Sequence, residues 1–267
     1  STRTRDREVP VHIDPATGVI FIDDFFVGDE EYRSGTYRGD EGRLDYEDLV
    51  DSQRRKKFSL PLVYGRSVLD FGCGAGGFLK AIRAEALSLQ GIELQESYRE
   101  ALNSLGIPCL SELSDVEVPV DVATMFHVLE HLPDPLQVLR QIHNVLTPID
   151  GVLIVEVPHA RDLLIGRAQC QEFLDFTLWS QHLVLHTRDS LSRLLVAAGF
   201  TEVFVEGIQR YGLANHLTWL SKGLPGGHKG PLAALETPEL RASYEAALAA
   251  ADCTDTLMAI ARTGARD

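Results

Sequence analysis

The sequence predicts an α/β protein in which a parallel sheet is covered by helices on both faces. Three observations predict it: short apolar runs alternate with helical segments, a glycine-rich turn joins one run to a helix, and the composition is that of a folded chain. Of the 267 residues, 45% are hydrophobic and 24% are charged, which is enough for a sizeable core without disulfides or metals. Near-continuous apolar runs are typical of strands that are buried on both faces of a parallel sheet.

The predicted elements follow one another in a regular order. A helical segment at residues 44–60 precedes the first strand. Strands are predicted at residues 67–71, 87–92, 107–110, 120–126, 151–157 and 200–206. Helices are predicted at residues 78–86, 97–105, 135–146 and 188–198, the last of which ends before Gly199. The chain then becomes rich in glycine, and we predict an alanine-rich helix at 238–251 and a last strand at 254–261. Residues 211–250 are therefore expected to form an insertion rather than a second domain.

Charge, hydropathy and cysteine usage limit the partners and the location. The formal net charge of −14 disfavours binding to a nucleic-acid backbone or to an anionic membrane. The short basic run at residues 54–57 is interpreted as a solvated helix face. No apolar run approaches the length of a membrane span, and the charged first eight residues do not resemble a signal peptide. The four cysteines lie far apart without metal-ligand spacing, so we expect a reduced, cytoplasmic setting.

A glycine-rich turn and an acidic residue indicate a nucleoside-containing cofactor. Gly72, Gly74 and Gly77 lie between a strand and a helix, where a ligand can approach the backbone and meet free N–H groups. Glu93 ends the next strand, where a carboxylate can accept hydrogen bonds from a ribose diol. Asp70 argues against a dinucleotide, because its carboxylate would oppose a pyrophosphate but would attract a cationic amino group.

Four stretches resemble the motifs of one family, the class I S-adenosylmethionine-dependent methyltransferases. Residues 68–76 (VLDFGCGAG) resemble its first motif, and residues 91–94 (GIEL) resemble its acidic second-strand motif. Residues 120–135, which contain LEHLPDP, are similar to the fourth-strand region of one subgroup, and residues 189–200 resemble its last helix before strand six. The motifs occur in the family's order and cover residues 60–206.

The resemblance implies a Rossmann-like, doubly wound sheet of seven strands in which the last strand is antiparallel and inserted. It also implies a division of the chain. Residues 1–59 would form an acidic and helical N-terminal segment that serves as a possible cofactor lid. Residues 60–263 would form the methyltransferase domain, with a substrate lid at 158–187 and the insertion at 211–250 before the last strand.

The cofactor that the resemblance implies is S-adenosylmethionine, with S-adenosylhomocysteine as its product. Asp70, Gly72 and Gly74 should line the methionine portion, Glu93 should hold the ribose hydroxyls, and Leu94 should pack on the adenine. Glu112 and Asp115 compete for the position near the adenine amino group. The complete set of candidate cofactor-binding residues is Asp70, Phe71, Gly72, Cys73, Gly74, Glu93, Leu94, Glu112, Phe126, His127 and Tyr37.

Residues 127–131 (HVLEH) also match a zinc-protease pattern, in which two histidines on one helical face share a metal. Here the segment directly follows a predicted strand of the parallel sheet, next to the glycine turn. Pro133 and Pro135 would also interrupt any helix after one turn. We therefore predict no metal site, and we expect Glu130 to brace the loop through hydrogen bonds. A divalent cation that orients a vicinal diol stays open as an alternative, because the carboxylates of Glu156, Asp162 and Asp175 lie near the expected pocket.

Histidines are the candidate catalytic bases, because an alcohol acceptor must lose a proton as it is methylated. Six of the nine histidines lie between residues 127 and 186. His182 and His127 are the first candidates and His131 is a third, and the choice between them stays open, as does a purely structural role. Candidate substrate-binding residues are His159, Phe176, Trp179, Tyr211 and Asn215, which lie after strand ends, in the lid and in the insertion.

The predicted function is O-methylation of a small hydroxylated molecule (a sugar, a nucleotide sugar or a natural product) by in-line displacement with a histidine base. Methylation at nitrogen or carbon is the first alternative, since the same motifs serve it. A nicotinamide-dependent oxidoreductase and a non-catalytic cofactor-binding protein are further alternatives. The expected partner is a small-molecule acceptor, with neither nucleic acid nor membrane, and the oligomeric state stays open.

Overall fold

The computed structural model describes residues 8–24, 28, 33, 46–117 and 119–264. Its strands are β1 (Val11–Ile13), β2 (Ile20–Ile22), β3 (Ser67–Phe71), β4 (Ser88–Ile92), β5 (Cys109–Leu110), β6 (Val122–Phe126), β7 (Val152–Pro158), β8 (Val184–Leu185), β9 (Phe200–Ile208) and β10 (Thr256–Thr263). Its α-helices are α1 (Tyr46–Val63), α2 (Gly77–Ala81), α3 (Glu96–Ser104), α4 (Pro135–Val145), α5 (Gln171–Thr177), α6 (Arg188–Ala197), α7 (Leu213–Lys222) and α8 (Pro238–Ala250). Among these helices, none has the length and apolar character needed to cross a bilayer.

The central sheet has seven strands in the order β5-β4-β3-β6-β7-β10-β9. The first five of these strands are mutually parallel. The last strand, β10, runs antiparallel between β7 and β9, with Thr256 opposite both Pro158 and Ile208. The predicted doubly wound sheet with an inserted antiparallel last strand is therefore confirmed.

The core lies on both faces of this sheet, as the apolar runs predict. Strand β7 shows the reason: Leu153, Val155 and Val157 pack on one face with α4 and α6. Val152 and Ile154 pack on the opposite face with α1 and α2. Because successive side chains of a strand point to opposite faces, a strand between two helical layers is apolar at nearly every position.

Two predicted elements are only about half as long in the structure, for local reasons. The helix predicted at 78–86 ends at Ala81, since residues 82–85 form a turn in which the Glu85 N–H bonds the Ile82 carbonyl. The strand predicted at 107–110 is shortened to Cys109–Leu110. Pro108 precedes it and has no N–H to donate to a ladder.

A second, three-stranded sheet joins the beginning of the described chain to the connection after β7. Its order is β1-β2-β8, and Ile20 pairs with Leu185. Weak sequence periodicity gave no prediction of β1, β2 or β8. The long connection contains a π-helical turn at Leu163–Arg167, then α5 and β8. The chain between β9 and β10 contains α7, two short 3-10 turns and α8.

Candidate active site

A cavity of about 1600 Å³ lies at the carboxyl ends of the parallel strands, which is where open α/β sheets bind ligands. Its walls come from α1, the turns after β3, β4 and β6, the connection before α6, and the chain between β9 and β10. The cavity brings together these predicted site residues: Asp70, Phe71, Gly72, Cys73, Gly74, Glu93, Leu94, Glu112, Phe126, His127, His131, His159, Phe176, Trp179, His182, Tyr211 and Asn215. Tyr37 lies outside the described residues. The roles given to these residues stay predictions.

The turn after β3 brings the backbone, rather than side chains, to the cavity. Gly72 and Gly74 have φ angles of 73° and 53°, in the left-handed region that favours glycine. The Gly72 N–H bonds the Ile92 carbonyl at 2.8 Å, which fixes the turn against the end of β4. A Cβ atom on Gly72 would lie 2.5 Å from the Val128 side chain. The glycine is therefore required both by conformation and by the loop that follows β6.

We expect Gly72→Ala to destabilise the protein more than Gly65→Ala, because only Gly72 of the two combines a positive φ with a close neighbour. Gly65 has a φ of 68°, and a Cβ atom added to it would meet no other atom within 4 Å. Both variants carry the cost of a left-handed backbone, about 1–2 kcal/mol. Gly72→Ala adds crowding, which typically costs about 1–3 kcal/mol. Urea unfolding of the two variants measures the difference, and equal midpoints would contradict the crowding argument.

Glu93 is held in place at the end of β4 by two backbone groups. Its carboxylate accepts hydrogen bonds from the Gly74 N–H at 2.8 Å and from the Gln95 N–H at 2.9 Å. Each carboxylate oxygen has a further lone pair, so Glu93 can still accept bonds from a vicinal diol. Glu112 and Asp115 are the two candidates for the position near the adenine amino group. Glu112 lines the cavity, whereas Asp115 is not among the lining residues.

Asp70 places a buried carboxyl group beside the glycine turn. Its side chain is 3% exposed, and its Oδ1 accepts a hydrogen bond from the Thr124 hydroxyl at 2.6 Å. Burial raises the pKa of Asp70 to about 7, against the lowering effect of Thr124 and Arg55. A carboxyl group with this pKa is ionised most readily when a cation lies next to it. The site therefore suits a positively charged ligand group.

The residue pattern did not predict a buried charge network in the cavity wall, to which Arg55, His127 and Arg210 belong. Glu156, in the middle of β7, is 0% exposed. Its oxygens accept hydrogen bonds from Arg54 at 2.9 Å and from Arg55 at 2.8 Å. The interpretation of the basic run as a solvated helix face is wrong for these two arginines, whose side chains are 23% and 15% exposed. The sequence did contain one signal, a single glutamate in an otherwise apolar strand. A buried carboxylate requires cationic partners, so this glutamate could have predicted the ion pairs.

His127 belongs to the same network, and its ring is held at both nitrogens. Nδ1 lies 3.2 Å from a Glu130 oxygen, and Nε2 lies 3.0 Å from both Glu156 and Arg210. Arg210 is held in turn by Asp51 of α1. The pKa of His127 is raised: burial and Arg210 oppose this, but the bonds to Glu130 and Glu156 outweigh them. This geometry favours a positioning role for His127 over the role of catalytic base.

The HVLEH stretch does not form the helical pair of the zinc-protease pattern. His127 has a φ of 55°, and the segment Leu129–His131 is a 3-10 turn. Both histidines neighbour Glu130, but their other ring nitrogens have different partners: His127 Nε2 faces Glu156, whereas His131 Nδ1 lies 2.7 Å from the Gln181 carbonyl oxygen.

Instead, the fold brings His182 of the long connection beside Glu130 and His131. The His131 and His182 ring centroids are 5.2 Å apart. Burial, with repulsion from His131, lowers the pKa of His182 to about 3, so this imidazole is neutral near pH 7. Burial alone would raise the pKa of Glu130, but His131 and His127 hold it at about 2. Near pH 7 the cluster thus contains the ionised carboxylate of Glu130 next to the neutral imidazole of His182.

The other side of the cavity is aromatic and polar. Phe176 of α5 contacts Trp219 of α7, with ring centroids 5.2 Å apart. His159 is fully buried and its Nδ1 lies 3.0 Å from the Thr254 carbonyl oxygen, while burial lowers its pKa to about 4. Tyr211 and Asn215 line this side from the segment after β9.

Sequence reasoning placed Asp162 near the pocket but did not predict its burial, and it missed Asp255. Burial and Asp255 raise the pKa of Asp162 to about 8. Asp255 accepts hydrogen bonds from Gln209 and from the Arg210 and Tyr211 backbone. The sequence marks Asp162 only by its position near the predicted pocket, and a lone Asp has no local pattern that predicts its burial.

Residues 45–204 match a family model described as a methyltransferase domain. The chain belongs to this methyltransferase family. With the cavity, the glycine turn and the fold, it is an S-adenosylmethionine-dependent methyltransferase domain. The donor set described above fits this cofactor, because Asp70 suits an ammonium group and Glu93 suits a ribose diol.

Known proteins resemble this methyltransferase domain at low identity. The ubiquinone biosynthesis O-methyltransferase of Psychrobacter arcticus is 24% identical over 66% of this chain and 74% of its own. That of Vibrio campbellii is 27% identical over 32% of this chain. The match spans only 41% of the Vibrio protein.

Solved structures share the fold. A SAM-dependent methyltransferase from Archaeoglobus fulgidus has a TM-score of 0.57 and 18% identity over 90% of this chain and 100% of its own. Magnesium protoporphyrin IX methyltransferase from Synechocystis, with bound SAH, has a TM-score of 0.54 and 13% identity over the same shares of the two chains.

Proposed function

We propose that this methyltransferase domain methylates an oxygen atom of a small hydroxylated molecule, such as a sugar, a nucleotide sugar or a natural product. One observation carries the proposal: a single cavity is lined both by the Asp70 and Glu93 end and by the Glu130, His131 and His182 cluster. The relatives that are named O-methyltransferases support oxygen as the acceptor atom. The ubiquinone pathway in their names is a property of those proteins.

The residues of the cofactor end bind and orient. Ionised Asp70 would hold the α-ammonium group, and Glu93 would accept hydrogen bonds from the ribose hydroxyls. Glu112 would border the adenine, with Leu94 packed on it. When bound, the cofactor supplies a methyl group whose bond to sulfur breaks as a bond to the acceptor oxygen forms, with the electron pair leaving on sulfur and the hydroxyl proton lost.

The residues of the acceptor end place the hydroxyl and help it to lose its proton. His131 and His182 are the groups of the cavity wall that we assign to this task, in place of His127. Phe176, Trp179, His159, Tyr211 and Asn215 would contact the rest of the acceptor. The aromatic rings suit the apolar face of a ring-shaped molecule, and the polar groups suit its hydroxyls. Alignment of acceptor and methyl group supplies the remaining rate acceleration.

We expect His182→Gln to lower the rate of methyl transfer by about 10²-fold, the lower end of the usual contribution of a positioned proton-transfer group, because an imidazole with a pKa of about 3 is a weak base. Its affinity for S-adenosylmethionine should change little, because His182 belongs to the acceptor end. The measurement is transfer of a labelled methyl group to a panel of hydroxylated and amine acceptors, with calorimetric titration of the cofactor. His143→Gln is the matched control, since His143 packs on Phe200 outside the cavity.

Two results would contradict the proposal. Equal turnover of amine acceptors by wild type and His182→Gln would indicate nitrogen as the acceptor atom. Binding of NADH in place of S-adenosylmethionine would indicate an oxidoreductase. The cytoplasmic location and the absence of nucleic-acid partners stay predictions.

A further inference from the structure

We propose that Glu130, His131 and His182 form a binding site for one divalent cation of the zinc type in the wall of the cavity. The ligand atoms of these three side chains all lie within 4.8 Å of one another. His131 Nε2 lies 3.7 Å from Glu130 Oε1, so the His131 ring faces this carboxylate. Two ligands on one tetrahedral zinc lie roughly 3.4 Å apart, given bond lengths of about 2.0–2.2 Å. Small side-chain rotations would therefore complete the site.

The hydrogen bonds around His131 set the ring for metal binding. A carbonyl oxygen only accepts, so the bond to the Gln181 carbonyl at 2.7 Å assigns the proton of the neutral ring to Nδ1. The lone pair is then on Nε2, the nitrogen nearer to Glu130. A metal-binding histidine usually donates its other N–H to a carbonyl or carboxylate in this way.

Two buried polar atoms of the cluster point to a missing partner. Among the described residues, neither Glu130 Oε2 nor His182 Nδ1 has a hydrogen-bond partner, although both atoms are buried. An unsatisfied buried polar group is costly, and native structures contain few. One cation bound by the carboxylate and the imidazole would satisfy both atoms. His127 bonds the other Glu130 oxygen and so orients this carboxylate.

The donor set selects the kind of cation. Two imidazoles and one carboxylate match catalytic zinc sites, which keep a fourth position open. Mg²⁺ and Ca²⁺ prefer oxygen ligands throughout. Co²⁺, Fe²⁺ and Mn²⁺ also accept mixed imidazole and carboxylate ligands, so the shared chemistry is a borderline divalent cation.

A cation at this site would extend the proposed function. The site itself rests on geometry, and only the catalytic role of the cation rests on the proposed function. The acceptor hydroxyl would bind at the open position, where the positive charge lowers its pKa. His131 and His182 would then act as ligands, and the proton would leave to solvent, which reaches the cluster beside the 18%-exposed His131.

The test is titration of metal-free protein with Zn²⁺ and with Co²⁺, followed by calorimetry and by the visible absorption of bound Co²⁺. We expect one equivalent to bind. Glu130→Gln and His182→Gln should each weaken binding by more than the ~10–100-fold that loss of an outer-shell partner causes. His12→Gln is the control, because His12 is an exposed histidine near the described start of the chain. Retained affinity for S-adenosylmethionine checks that each variant is folded.

Each outcome distinguishes the cation site from the proposed function. Absence of saturable binding, or binding that both cluster variants retain, would overturn the site. Full methyl-transfer activity in the metal-free protein would overturn the role of the cation and leave O-methylation intact. Stoichiometric binding that depends on Glu130 and His182, without transfer to any hydroxylated acceptor, would support the site and contradict the proposed function.

Discussion

Replacement of Asp70 by Asn is expected to abolish tight binding of S-adenosylmethionine while leaving the folded state at least as stable as wild type. The variant keeps the shape of the side chain but removes the charge that would face the ammonium group. Loss of one partner of a buried pair typically costs about 3–5 kcal/mol, which corresponds to roughly 10²–10³-fold or more in Kd. Calorimetric titration at pH 8 measures this loss.

Stability should change in the opposite direction. The folded-state pKa of Asp70 is about 7, compared with the ordinary value of 3.8. The folded protein therefore binds this proton more tightly than the unfolded chain, and the resulting stabilisation is complete below pH 4 and lost as the pH rises through 7. The difference corresponds to about 4 kcal/mol, so Asp70→Asn should raise the urea midpoint at pH 8.

Two comparisons make the Asp70 result specific. Asp121 bonds Ser67 at the opposite end of β3, so Asp121→Asn should leave cofactor affinity unchanged. Wild-type affinity should fall as the pH drops below 7, whereas the Asp70→Asn variant should not show this dependence. Affinity of Asp70→Asn within threefold of wild type would exclude the proposed ammonium contact.

Glu156→Gln is expected to lower the free energy of unfolding by about 3–5 kcal/mol, because it leaves buried cations without their carboxylate. Arg54, Arg55 and His127 all bond this one fully buried group. Burial alone would raise the pKa of Glu156, but Arg55 and His127 hold it well below its usual range. Its stabilising effect is therefore present at neutral pH and is lost as the pH falls below about 4.

Denaturant unfolding at pH 7 measures this effect, and Asp189→Asn is the control. Asp189 forms an ion pair with Arg193 in which both side chains are largely exposed, and such surface changes usually stay within about 0.5 kcal/mol. Equal losses in the two variants would mean that the network around Glu156 does not stabilise the fold. Cofactor affinity should also fall in Glu156→Gln, since α1 is held over the cavity by these arginines.

Local sequence patterns determined the sheet and the cofactor end of the cavity. The alternation of apolar runs with helical segments predicted the parallel strands, because both signals act over neighbouring residues. Gly72, Asp70 and Glu93 line one cavity because each lies at or next to a strand end, and the topology of a parallel sheet brings such ends together. Their chemical roles are proposals that the variants above test.

Only the tertiary structure decided the acceptor end. His182 lies beside His131 although 51 residues separate them in the sequence, and Arg54 reaches Glu156 across a separation of 102 residues. No local pattern encodes such pairs, because they depend on how α1 and the connection after β7 fold over the sheet. Burial then sets the chemistry: the same environment keeps His182 neutral, holds Glu130 ionised and raises the pKa of Asp70. Desolvation and neighbouring charges depend on the three-dimensional positions of the atoms, so only the folded structure determines the pKa of a buried group such as His182.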